Sequence, residues 1–152
     1  MSQPILSVRN LCVEFALRRG ALLAVDEVSF DIARGEVLGI VGESGAGKSL
    51  TASAIIGLLE PPGRIAGGEI WLNGERIDRL NPEAMRAIRG KRIGMVFQYP
   101  LTSLNPLYPI SRQLVETIET HTHLRGADAR RRGKVLSEDG RRVHGQEGAR
   151  RQ

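Results

Sequence analysis

Gly42-Glu43-Ser44-Gly45-Ala46-Gly47-Lys48-Ser49 gathers three glycines, a lysine and a terminal hydroxyl into eight positions, a set suited to an anion with many oxygens. A polyphosphate needs several backbone N–H groups pointing inward at once. Glycine lets the backbone turn and approach closely where a Cβ would clash. Lys48 can place an ammonium beside the β and γ phosphates, and the Ser49 hydroxyl suits a magnesium ion. The apolar run Val37-Leu38-Gly39-Ile40-Val41 precedes the stretch, and the uncharged segment from Leu50 to Leu59 follows it. A strand before and a helix after form the setting in which G-x-x-x-x-G-K-[ST] acts as a phosphate-binding loop, with the helix adding unpaired amides and the positive end of its dipole.

Other elements must position this loop. Ile5 to Phe15 alternates through Leu6, Val8, Leu11, Val13 and Phe15, as a half-buried strand does. Arg18-Arg19-Gly20 reads as a turn, and Leu22 to Ile32 alternates again through Val25, Val28, Phe30 and Ile32. An antiparallel sheet leading into the loop strand is expected. Behind the loop, Ser49 to Leu59 suits a helix buried against a sheet, ended by Pro61-Pro62-Gly63. Gly68 to Gly74 reads as a strand with an Asn73-Gly74 turn, with Trp71 packed on the sheet. Asn81 as cap, Pro82 at the first helical position and Gly90 as stop predict a short helix with Met85, Ala87 and Ile88 inward.

Arg92 to Gln98 reads as an apolar strand ending in one amide. A glutamine at the carboxyl end of such a strand sits where open α/β sheets bind ligands, and it is equally consistent with an ordinary strand end. Leu114, Ile118 and His121 recur at helical spacing with Val115 adjacent, predicting an amphipathic helix over 111–124. In 125–152, 13 of 28 residues are Arg or Gly and only Val135, Leu136 and Val143 are large aliphatics. So little apolar surface predicts disorder there.

The formal charge of +5 is not spread evenly. Residues 1–124 hold 13 basic and 13 acidic side chains, whereas 125–152 hold 9 and 4, so a neutral body carries a basic tail. A length of 152 residues fits one domain with a core. Cys12, the sole cysteine, excludes an internal disulfide and reads as structural. His121 and His123 lack a further ligand at metal spacing. No basic start followed by an apolar block resembles a signal peptide, and no run is long enough for a membrane span, so the cytosol is the expected compartment.

With the loop, Ala24-Val25-Asp26-Glu27-Val28-Ser29-Phe30, Gly94-Met95-Val96-Phe97-Gln98 and Thr102-Ser103-Leu104-Asn105-Pro106 together, the sequence resembles the ATP-binding subunit of an ABC transporter, within the oligopeptide, dipeptide and nickel importer branch. The resemblance covers residues 5–124. It implies an α/β P-loop NTPase fold of the ABC ATPase kind, with an antiparallel β subdomain and an incomplete RecA-like core. It implies ATP and Mg2+ as cofactors, with Gly42, Glu43, Ser44, Gly45, Ala46, Gly47, Lys48 and Ser49 as the Walker A loop. Ser49 and Gln98 would be metal contacts, Gln98 being the Q-loop residue that also senses the membrane subunit. Phe15 is the best match to the aromatic that stacks on adenine, an ordinary core aromatic being the less favoured alternative. Permease subunits and a second ATP-binding subunit, identical or different, are the implied partners, at the inner face of the cell membrane.

The sequence also departs from the family. Tyr99 stands where the branch usually has an acidic residue. Leu136-Ser137-Glu138-Asp139-Gly140 matches the LSGGQ signature only in its first two residues, and no four apolar residues followed by Asp-Glu occur after Gln98. Without Walker B carboxylates, metal placement and water orientation are incomplete, so binding without turnover is expected. The chain reads as an amino-terminal portion, 1–124, followed by a tail, 125–152, of the kind a shifted reading frame would produce. The apolar runs at 37–41 and 93–97 would then lack sheet neighbours. A small P-loop kinase or GTPase would need its own Walker B-like aspartate and base-recognition element, and neither is found. A nucleic-acid-binding role for the basic tail lacks an aromatic platform, so no nucleic-acid partner is expected.

Overall fold

Alternating apolar side chains build the first sheet in the computed structural model, which describes residues 3–98 and 104–149. The chain forms two compact units, Met1–Gly94 and Met95–Gln152. In the first, β1 (Leu6–Leu17) turns at Arg18 and Arg19 into β2 (Gly20–Ile32). β3 (Gly63–Leu72) and the short β4 (Glu75–Arg76) complete an antiparallel sheet of order β2-β1-β3-β4. β1 lies inside this sheet, and its Val8, Leu11 and Val13 are fully buried with Ile70 of β3. The Asn73-Gly74 turn joins β3 to β4 with both residues at positive φ, as its sequence predicts.

The pairing of β1 with β2 is not regular. Asn10 and Glu27 each adopt a φ of 45° where the register shifts. At this irregularity the Asn10 amide donates to Ser29 Oγ at 2.7 Å and the Glu27 amide donates to Cys12 Sγ at 3.4 Å. Polar side chains thus take bonds that the ladder loses there. Trp71 packs on the outer face of the sheet, its Nε1 donating to Glu69 and the Arg9 guanidinium lying 5.9 Å from its ring centre. Arg76 joins β3 to the following turn through Asp78 and Glu69, and the hydrogen bond to Asp78 is the largest cause raising its pKa above the ordinary arginine value.

Two helices pack in the same unit. α1 (Lys48–Ile55) buries Thr51, Ala54 and Ile55, and Ile56 just beyond it is also buried. α2 (Pro82–Ile88) starts as its sequence predicts, the Asn81 side chain accepting from the Ala84 amide at 2.8 Å. Met85 and Ile88 face inward, whereas Ala87, expected inward, is exposed. Arg89, at the end of α2, donates to the Ile56 and Gly57 carbonyls at 2.7 and 2.6 Å.

The expected strand at 37–41 does not form. Those residues have no regular structure, and Val37 and Val41 are each 94% exposed. The run at 93–97 likewise holds only an isolated parallel bridge, Arg89 with Ile93, and Val96 is exposed. Among the described residues neither run has a strand beside it. An apolar pattern alone does not make a strand, because its backbone groups need a neighbouring ladder.

In the second unit, α3 (Ile110–His121) carries out the predicted amphipathic helix, with Ile118 buried and Leu114 and Val115 half-buried. Gln113 pins the preceding loop, its side chain exchanging two 2.9 Å bonds with the Asn105 backbone. Instead of the disorder expected from 125 onward, α4 (Gly126–Ala149) is helical and packs on α3. Small residues explain it. Ala129, fully buried, and Gly133, four positions on, let the helices approach without large aliphatics, and the Gly126 amide donates to Glu119 Oε1 at 2.8 Å at the start. Tyr99, Thr102 and Ser103 lie outside the described residues.

A Cβ at Gly133 would meet Ile118 Cδ1 and Val115 Cγ2 at 3.6 Å, an ordinary contact. Gly133→Ala is therefore expected to stabilise the α3–α4 pair by about 0.5–1 kcal/mol through helix propensity. Ala129→Leu should destabilise it by about 1–3 kcal/mol through overpacking. Hydrogen exchange of the α4 amides measures both, and equal protection in the two variants would contradict this packing.

Candidate phosphate-binding site

Residues 42–49 form a turn that runs directly into α1, with Gly47 as the residue before the first helical position. Gly45 and Gly47 have φ values of 84° and 79°, in the left-handed region where a side chain is strained. Gly47 also makes a close approach. A Cβ there would stand 2.9 Å from the Ala24 carbonyl oxygen and 3.1 Å from Val25 Cγ2, so the loop is seated on β2 by backbone contact. The Thr51 hydroxyl, which is buried, donates back to the Gly47 carbonyl at 3.0 Å and fixes the same residue from the helix side.

The lysine closes the loop from within. Lys48 Nζ donates to the carbonyls of Gly42 and Glu43, each at 2.6 Å, and the Ala46 amide donates to the Glu43 carbonyl at 3.2 Å. Both partners of the ammonium are neutral, and among the described residues Lys48 forms no ion pair. A full positive charge therefore faces the turn without a carboxylate to balance it, beside the positive end of α1. The amides of Lys48, Ser49 and Leu50 open the helix and have no carbonyl one turn back inside it. Ser44, Gly45, Ala46 and Ser49 are exposed. Free amides, one uncompensated ammonium and an exposed hydroxyl fit a polyphosphate with a divalent ion, and they fit no cation alone.

The other predicted residues stand elsewhere. Phe15 is half-buried near the end of β1, paired with Leu22 and Gly63, its ring against Gly63, where a Cβ would meet Phe15 Cε1 at 2.8 Å. It follows Val13, whose β2 partner Val25 touches Gly47, so the sheet links strand and loop. Gln98 belongs to the second unit, where it is exposed at a bend after 95–97 rather than at the end of a strand. Ala24, Val25 and Thr51 support the loop although its motif does not include them. The spacing of four between Gly47 and Thr51 was the one available sign.

The sequence pattern of the ABC transporter family matches residues 25–147. This chain belongs to the ABC transporter family. The match continues through most of the segment beyond 124, so the family pattern includes α4 as well as the loop. The chain is 48% identical over 132 residues to the Peptidoglycan transport ATP-binding protein YejF of Agrobacterium fabrum, covering 86% of this chain and 24% of that protein. It is 41% identical over 117 residues to the Dipeptide transport ATP-binding protein DppD of Escherichia coli, covering 77% of this chain and 36% of that protein. The chain thus spans well under half the length of these relatives. Among solved structures it resembles a dimeric, post-hydrolysis state of the ATP-binding cassette MJ0796 bound to ADP and Pi. The TM-score is 0.72 at 24% identity, over 84% of this chain and 53% of that one. The fold is that of an ABC ATPase, with the antiparallel sheet in place, and the family binds nucleotide.

The loop geometry orders two substitutions. Gly45→Ala meets nothing within 4 Å and carries only the cost of its positive φ, about 1–2 kcal/mol. Gly47→Ala adds a clash with the Ala24 carbonyl and is expected to cost more than Gly45→Ala in a denaturant titration. Equal midpoints for the two variants would show that the loop does not rest on β2.

Proposed function

We propose that this chain binds ATP with Mg2+ through residues 42–49, as the ATP-binding part of a peptide-type ABC importer. The observation that carries the reading is the Lys48 ammonium, held inside the loop by two neutral carbonyls and balanced by no carboxylate among the described residues. A triphosphate offers it a stronger partner, because its oxygens carry opposite charge whereas the two carbonyls are neutral. In this reading Lys48 turns from the Gly42 and Glu43 carbonyls to the β and γ phosphates. The amides from Gly45 to Ser49 surround the same oxygens, and the Ser49 hydroxyl holds the metal ion. Phe15, near the end of β1, is the aromatic assigned to the adenine. The magnesium ion neutralises phosphate charge when bound, and the chain's own part is to bind and orient.

The dipeptide name of the Escherichia coli relative supports a peptide-type solute. Permease subunits would be the membrane partners and a second ATP-binding subunit, identical or different, the nucleotide partner. The latter is in keeping with the dimeric state of the matched cassette MJ0796. Work at the inner face of the cell membrane follows from those partners. No helix among the described residues is long and apolar enough to cross a membrane itself. The 152 residues supply no Asp-Glu after an apolar strand beyond Gln98, so hydrolysis is assigned to residues this chain does not contain.

With Mg-ATP at a hundredfold excess over its dissociation constant, the folded chain gains about 2.7 kcal/mol, a melting shift of roughly 5–10 °C for a chain of this size. Lys48→Ala is expected to remove the shift, and phosphate release should stay at background. A shift retained in Lys48→Ala would contradict the assigned grip, and steady hydrolysis by the purified 152-residue chain would contradict the assignment of turnover elsewhere.

A further inference from the structure

The helix that begins at the phosphate loop ends in a turn at Gly57, where the Gly57 and Leu58 amides donate to the Ala54 and Ser53 carbonyls at 3.1 and 2.8 Å. α1 carries no basic residue in its last turn, so the carbonyls of Ile56 and Gly57 in that turn would stand at the negative end of the dipole with no cation from the helix itself. The missing cation comes from 33 positions away. Arg89 Nε donates to the Ile56 carbonyl at 2.7 Å and its Nη2 to the Gly57 carbonyl at 2.6 Å. Gly57 makes the fit. It turns out of the helix at a φ of 64°, and a Cβ there would stand 3.1 Å from Arg89 Nη2 and 3.2 Å from Met85 Cγ. Met85 and Ile88 anchor α2 in the core, so the guanidinium is delivered from a fixed element.

We propose that Arg89 is a positioning residue for the phosphate loop, acting through α1. The helix is only eight residues long, Lys48 to Ile55, so its two ends are coupled by a short rigid rod. At the loop end, Gly47 is wedged against Ala24 and tied by Thr51. At the far end, the Arg89 fork grips the Gly57 turn that stops the rod and sets how the rod is rotated. Two charged donors on two successive carbonyls fix direction as well as distance, which one ammonium on a flexible stem does only in part. Holding the rod at both ends keeps the opening amides and Lys48 aimed together before any ligand arrives.

The proposal rests on the nucleotide-binding reading, and its test separates the two. Mg-ATP affinity is measured by calorimetry for the unaltered 152-residue chain, Lys48→Ala, Arg89→Gln and Arg89→Lys, together with hydrogen exchange of the unliganded chains. Arg89→Gln is expected to weaken Mg-ATP binding about tenfold, the scale of one lost charged hydrogen bond. In the unliganded state it should speed exchange in the loop and α1, while β1 and β3 amides stay protected. Arg89→Lys, which keeps the charge but not the planar fork, should recover part of the affinity. Unchanged loop exchange in Arg89→Gln, or an equal loss of protection throughout the sheet, would overturn the positioning role. The exchange result decides even if the unaltered chain binds no ATP, an outcome that would count against the nucleotide reading instead.

Discussion

Gly47 meets the β2 backbone so closely that a Cβ would stand 2.9 Å from the Ala24 carbonyl oxygen, and that approach joins the loop to the sheet. A loop of small residues has little apolar surface with which to hold itself. It borrows order from what it touches. Val25, buried in β2 and paired with Val13 of β1, carries the contact into the middle of the sheet, where Leu11 and Ile70 close the core. The buried Thr51 hydroxyl then returns from α1 to the Gly47 carbonyl, so one glycine is held by strand and helix together. Without that approach, Lys48 and the opening amides of α1 would lack a fixed direction.

Elements that satisfy their own backbone bonds were legible in the sequence. Alternation located β1 and β2, Asn81 and Pro82 located the start of α2, and the Asn73-Gly74 pair located the turn into β4. The run at 37–41 was apolar enough to read as a strand, but a strand is a property of a pair, and no described strand lies beside it. α4 failed in the opposite direction. Its Arg- and Gly-rich composition hid Ala129 and Gly133, whose value lies in how closely they let α3 approach rather than in surface buried.

The site divides in the same way. The motif named residues 42–49 correctly as a connected turn leading into a helix, because its glycines are required by local conformation at Gly45 and Gly47. Apart from Thr51, four positions after Gly47, its supports were not legible. Ala24 contributes a carbonyl, and Arg89 reaches α1 from 33 positions away, so neither leaves a sequence signal. Membership of the ABC transporter family gives this geometry its context, while the chain covers only part of the length of the relatives it matches.

On the proposed reading, residues 42–49 grip the phosphates of ATP and not its base. Competition against bound ATP by inorganic tripolyphosphate and by adenosine, each with magnesium and the purified chain, separates the two. Tripolyphosphate is expected to displace ATP, and adenosine at the same concentration to leave it bound. Displacement by adenosine with none by tripolyphosphate would contradict a phosphate grip.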